Sequence, residues 1–469
     1  MASQGRGSGL LALPIELQIE VIIWLQCDPG ALRVFALTCK HIRTLADPYL
    51  WGTVNLSFPL CERIPKLYIP LLEEPKGQWG RRRREIRSIH VCGFIPPATE
   101  RDNKPLHEYL DQNCVKLDTI PRIEAAGNFP DSHINTIRAK WIETAITIMI
   151  EDLPEQQIEE FSWTSDVDMW TENEDSLLNH LIKRHSKIHS LRFRLTSASS
   201  IPGLMRKLEN FTNLTSLDLN LRFYDRAFPG LINVLEKVQA TLSRFCFNLY
   251  DFFNDIGMYL DYRWRDWQDN HPGQSIRLKK LTSFGLMTNI EIPVLFVNYG
   301  WIKPEQVKSL DVVLRGRLTA RMFCGCRATE APKNSELKVI FRGIQKLSIQ
   351  LRQFSGYQFY NIYGELPIST LERCISQLDG LEELVLTNLN EEFNLSCLDR
   401  FVNSLKKVEL NVEPKRLLYR FRDAENWYSK FPKLDPFSIK KYSEVFVNSE
   451  GRKLLRISNE AFREQRIYS

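Results

Sequence analysis

Residues 187–195, KIHSLRFRL, and residues 213–221, NLTSLDLNL, read alike. Apolar residues recur at every second position, as Leu191, Phe193 and Leu195 in the first and Leu217, Leu219 and Leu221 in the second. A period of two sends one set of side chains to one side of an extended chain and the rest to the other, the pattern of a strand with one buried face. Working outward, the alternation returns at Phe245, Phe247 and Leu249, at Phe284 and Leu286, and at Leu310, Val312 and Leu314. It returns again at Leu347, Ile349 and Leu351, at Leu384, Leu386 and Leu389, and at Val408, Leu410 and Val412. Ile89 with Val91, and Phe161 with Trp163, extend the series toward the N-terminus.

Successive runs begin 26 residues apart from 191 to 217, 28 from 217 to 245, 39 from 245 to 284 and 26 from 284 to 310. The next two spacings, 310 to 347 and 347 to 384, are 37 each. Repeats of about 20–29 residues account for the short spacings, and inserted loops for the long ones. Helix-like stretches lie between the runs at 133–152, 175–185, 228–243 and 366–379. Strands alternating with helices imply parallel pairing through crossovers. A unit of one strand and one helix cannot bury its own faces, so it must stack on its neighbours. Residues 56–412 are therefore expected to form an irregular α/β solenoid with a strand-lined concave face. NLTSLDLNL and GLEELVLTNL (380–389) resemble leucine-rich-repeat cores, although the usual Asn position is mostly missing. Residues 413–469 change composition and are expected to be a C-terminal cap or tail, because terminal repeats need a polar outer face.

The opposite end is different. Residues 1–9 are a Gly/Ser-rich tail. Residues 13–51, LPIELQIEVIIWLQCDPGALRVFALTCKHIRTLADPYLW, then predict three short helices. Pro14 suits the start of the first, and Asp28-Pro29 caps the second. The third carries Cys39, Ile42, Leu45 and Ala46 and is expected to end before Pro48. In the first helix Leu17, Val21, Trp24 and Leu25 share one face, while Ile15, Ile19, Ile22 and Ile23 crowd another. One face packs inward, and the other calls for a partner.

This stretch resembles an F-box from end to end. Leu13, Pro14 and Glu16 match its opening, Cys39 and Lys40 its Cys-Lys pair, and Asp47, Pro48 and Trp51 its close. Gly30 within the second helix and Thr38 before the Cys-Lys pair depart from the family pattern. The F-box resemblance covers under a tenth of the chain; joined to the repeat-like segments, it makes the chain similar to fungal-type F-box proteins with a degenerate leucine-rich-repeat-like region. The resemblance implies an all-helical F-box at 10–55, a substrate-binding domain at 56–412 and an overall α+β and α/β class. It implies binding to the Skp-type adaptor, and through it to cullin, by Leu13, Pro14, Leu17, Ile22, Leu37, Cys39 and Lys40, with Trp51 closing the module. The function implied is that of the substrate-recognition subunit of a Skp–cullin–F-box ubiquitin ligase. The alternative is an adaptor-bound scaffold without ligase output.

Composition limits the other classes. Across 469 residues, 62 Lys and Arg stand against 57 Asp and Glu, too even a balance for a chain built to neutralise nucleic acid. No apolar run reaches the roughly 18 residues of a membrane span. Ten scattered cysteines fit free thiols in a reducing compartment, the cytosol or nucleus. No phosphate-binding loop, nucleophile elbow or metal-ligand spacing occurs, so no catalytic residue, cofactor or metal is expected. His185 and His189 read as a solvated helix edge, and Cys324 and Cys326 as loop thiols. Arg81 to Arg84 read as a solvated loop or a localisation patch. Arg192, Arg194 and Arg222 are candidates for pairing a phosphorylated target.

Overall fold

The computed structural model describes residues 13–25, 29–57, 84–93, 143, 146–147, 149–165, 177–195, 200–221, 228–249, 256–271, 275–289, 291–314, 340–351, 368–389, 393, 395–412, 431, 433–434, 437–439, 443–447 and 453–457. The chain divides into two compact units: Met1–Leu214 with Leu221–Gly230, and Thr215–Asn220 with Leu231–Ser469.

The first unit begins with three helices, α1 (Ile15–Leu25), α2 (Pro29–Ala36) and α3 (Lys40–Trp51). The Pro14 carbonyl accepts the N–H groups of Leu17 and Gln18, both at 3.1 Å, and so starts α1. Ile22, Leu32, Ala36 and Ala46 form the bundle core, with Leu25, Phe35, Leu45, Tyr49 and Leu50 packed against it. Cys39 caps α3, its Sγ accepting the Ile42 N–H at 3.5 Å. The expected stop before Pro48 is wrong, because α3 runs through Pro48 to Trp51. A proline this close to the helix end costs only one donor, and the Gly52 N–H closes the turn on the Pro48 carbonyl at 2.8 Å.

Strands β1 (Thr53–Ser57), β2 (Ser88–Gly93), β3 (Glu160–Ser165) and β4 (Ser190–Leu195) follow, parallel and adjacent in chain order. Thr53, Ser88, Glu160 and Ser190 lie level across them. Helix α4 (Leu177–His185) connects β3 to β4, and α5 (Ser200–Leu208) follows β4. The described part of the expected helix at 133–152 is helical and buries Ile146, Met149 and Ile150.

Further on lie β5 (Ser216–Leu221), α6 (Phe228–Val238), β6 (Arg244–Leu249), α7 (Ile256–Asn270), β7 (Ser283–Asn289), α8 (Glu291–Asn298), β8 (Ser309–Leu314) and β9 (Lys346–Leu351). Helix α9 (Ile368–Ile375), β10 (Glu383–Leu389), β11 (Lys407–Val412) and β12 (Phe437–Ile439) complete the series. In the second unit the parallel pairs again follow chain order from β6 to β12. Phe296 of α8 stacks on Phe245 at 5.5 Å and meets Phe284 edge-on at 5.8 Å, so a helix covers the apolar side of these strands. Within each unit this is the α/β, solenoid-like arrangement of strands in parallel. The region expected as a cap contributes β12 and an antiparallel pair, β13 (Ser443–Val447) with β14 (Lys453–Ile457).

Strands β2 to β4 and β6 to β11 are seated the same way. Two successive N–H groups at the start of each donate to one carbonyl at the start of the strand before. Arg87 and Ser88 donate to Gly52, Glu159 and Glu160 to Arg87, and His189 and Ser190 to Glu159. In the second unit, Lys308 and Ser309 donate to Thr282, Gln345 and Lys346 to Lys308, Glu382 and Glu383 to Gln345, and Lys406 and Lys407 to Glu382. Strands paired in this way begin level with one another.

The alternation read from sequence has a third member. Three residues before the first buried apolar residue of the strand sits another buried one: Ile86, Ile158, Ile188, Leu214, Leu242, Leu281, Val307, Ile344, Leu381 and Leu405. Each turns the chain inward immediately before its strand.

Candidate functional site on the N-terminal helices

The apolar residues of α1 to α3 exceed what their small core can hold. Only Gln18 and Ile22 of α1 are buried. Trp24 is 84% exposed, Leu37 77%, Val34 68% and Leu17 44%, and Leu13, Ile15 and Ile23 are exposed beside them. So many large apolar groups in water around a packed bundle make an exposed apolar surface on these helices. The two faces assigned to α1 from sequence are therefore mixed: on one, Leu25 packs inward while Leu17 and Trp24 are exposed, and on the other, Ile22 is buried while Ile15 and Ile23 are exposed.

Of the residues singled out from sequence, Leu13, Pro14, Leu17, Leu37 and Lys40 are exposed. Cys39 is half-buried and serves as the α3 cap. Ile22 is a correction: it is fully buried among Leu32, Ala36 and Ala46 and offers no surface to a partner.

Sequence reading passed over Gln18. Its Nε2 donates to the Leu13 carbonyl at 2.8 Å, and its Oε1 lies 2.9 Å from His41 Nε2 of α3. A buried amide that satisfies both ends ties α1 to α3 and fixes the backbone at Leu13. The available signal was its position one turn before Ile22, on the inward stripe.

The strands carry a second polar surface. In the first unit His90, Ser162 and Arg192 are level on neighbouring strands. Burial lowers the His90 pKa; Glu160 opposes this and Arg192 adds to it. His189 Nε2 lies 3.9 Å from Glu160 Oε1. Arg192 and Arg194 each already have an interaction of their own, and Arg222 lies outside the described residues.

His185 is not at a solvated edge. It is fully buried, its Nδ1 accepting the Ile158 N–H and its Nε2 facing the Ile150 carbonyl, both at 3.4 Å. Burial holds its pKa below the ordinary histidine value; the Ile150 carbonyl and Glu155 oppose this, and Arg184 reinforces it. It stands three residues before the inward-turning Ile188, the same chain position that buried Phe211, Leu278, Phe341 and Leu378 hold before theirs.

Among the described residues no group of His, Cys, Asp or Glu is placed to hold a metal ion, and no helix is long and apolar enough to cross a membrane. Cys39, Cys246 and Cys397 are free thiols, with burial pushing the Cys397 thiol well up. Cys374 is disulfide-bonded, unlike the free thiols expected in a reducing compartment. Cys324, Cys326 and Arg81 to Arg83 lie outside the described residues. In comparisons with known proteins, no family model and no curated protein matches this chain.

Proposed function

We propose that this chain is a non-catalytic substrate receptor of a Skp–cullin–F-box ubiquitin ligase, with 13–51 as its F-box and the parallel-strand region as the holder of a protein target. The observation that carries the reading is the apolar surface on α1 to α3. Leu13, Pro14, Leu17, Trp24, Val34 and Leu37 are exposed on a bundle whose core is already complete. Lys40 lies at the edge of the same helices. The mechanism is proximity. Adaptor and cullin bring a charged conjugating enzyme, the receptor brings the target, and the raised effective concentration accelerates transfer. No residue of this chain touches the reacting atoms.

The test is co-purification of full-length chain with the Skp-type adaptor and cullin, beside Leu17→Asp and the Leu13→Ala/Pro14→Ala pair. Both partners should come down with wild type and be lost from both variants, while circular dichroism stays unchanged. Adaptor without cullin would make the chain a scaffold without ligase output. Adaptor capture undiminished by Leu17→Asp would refute the assigned surface.

A further inference from the structure

Arg244 opens β6, and Ser283 and Ser309 open β7 and β8 level with it. The N–H groups of Ser243 and Arg244 donate to the Thr215 carbonyl at 2.8 and 2.9 Å, in the seating pattern of the other strands, which brings Ser216 of β5 to the same level. Three hydroxyls therefore flank one arginine along a row of parallel strands, each step about 4.8 Å wide. The guanidinium does not stand away from the sheet. It lies across Gly285 of β7, where a Cβ would fall 2.8 Å from Nη2, 2.9 Å from Nε and 3.1 Å from Cζ. Gly285 does not sit at positive φ, so backbone conformation does not demand a glycine there. Its missing side chain is the floor on which the guanidinium rests.

Arg244 is exposed and has no hydrogen bond or ion pair to any described residue. The carboxylates on this side of β5 and β8 are Asp218 and Asp311, and each has an interaction of its own. Farther along β6 on the same side, Asn248 is enclosed with both its amide oxygen and its amide nitrogen unmatched. A buried amide in that state has lost its water without gaining a partner, so this face holds unused hydrogen-bonding capacity.

We infer that Arg244, seated on Gly285 between Ser216 and Ser283, is a subsite for a tetrahedral oxyanion, the phosphate of a phosphorylated side chain on the bound target. A flat guanidinium supplies two parallel N–H donors to two phosphate oxygens, and the neighbouring hydroxyls reach a third. The identity of the ligand rests on the receptor reading above, but the subsite does not. It replaces Arg192 and Arg194, which are already engaged.

The experiment is titration of the purified full-length chain with inorganic phosphate and, separately, with O-phosphoserine. It is done at constant ionic strength and followed by calorimetry. Saturable binding is expected, weakened at least about ten-fold by Arg244→Ala. Gly285→Ala should weaken it several-fold with the charge retained and circular dichroism unchanged, because the new methyl group dislodges a flexible side-chain end. O-phosphoserine should bind at least as tightly as phosphate. Binding of phosphate but not of O-phosphoserine would overturn the phosphorylated-target assignment in favour of free phosphate. Absent or non-saturable binding, or equal binding by Arg244→Ala, would overturn the subsite. Adaptor capture by Arg244→Ala reports separately on the receptor reading and should be intact.

Discussion

Replacing Ile22 with alanine separates the core of the N-terminal helices from their surface. Ile22 has no exposed area and packs on Leu32, Ala36 and Ala46. The substitution removes three buried carbons, worth about 2.4 kcal/mol in transfer at roughly 0.8 each. The cavity left in a rigid core raises the total to about 3–4 kcal/mol. Three short helices have little stability to lose, so the effect will be local unfolding. Amide exchange across Ile15–Leu25 and Lys40–Trp51 should quicken by about a hundred-fold or more, since each 1.4 kcal/mol is a factor of ten. Leu37→Ala, at a site 77% exposed, should leave exchange within a factor of about two to three and still abolish adaptor capture. Less than a ten-fold change for Ile22→Ala, or an equal change for Leu37→Ala, would refute this division between core and surface.

The buried His185 makes stability depend on pH. Its folded pKa lies below the unfolded value of about 6.5, so the unfolded chain takes up the proton first. Stability is complete above about pH 6.5 and falls below it, with a slope approaching about 1.4 kcal/mol per pH unit. His185→Leu should flatten the urea-midpoint profile below pH 6.5 without abolishing it, because His90 is shifted in the same direction; an unchanged profile would exclude His185 as a source. Gly52→Ala should cost about 1–3 kcal/mol, because its Cβ overlaps the Pro48 carbonyl oxygen and the Gly52 carbonyl is held by Arg87 and Ser88. Thermal melts that superimpose on wild type would contradict that.

The strands were legible because their apolar residues alternate and little else competes with that pattern. The inward-turning residue three positions earlier was equally visible: Leu214, Leu217 and Leu219 share the spacing of Leu381, Leu384 and Leu386. It was overlooked because a period of two does not reach across the bend. Helices α5 and α8 were not anticipated from the sequence; each carries a proline, Pro202 and Pro293, in its first turn, where no N–H is needed. His185 was hidden by Lys183, Arg184 and Lys187, and only its place three residues before Ile188, like that of Phe211 before Leu214, betrays it. The inward side of α1 was obscured because apolar residues surround the helix and the buried stripe includes a glutamine, whose one signal is its place a turn before Ile22.

The way each strand is seated has a consequence for the segments between them. From Glu383 to Lys407, level on β10 and β11, the chain takes 24 residues, and from Ser88 to Glu160, level on β2 and β3, it takes 72. The register at both junctions starts from the same paired N–H groups on one carbonyl. Nothing in that hydrogen bonding counts the residues that come before it. A cassette spliced into the β2–β3 crossover should leave β3 on its present neighbours, which makes the crossovers natural sites for grafting a tag, a reporter or a new recognition loop.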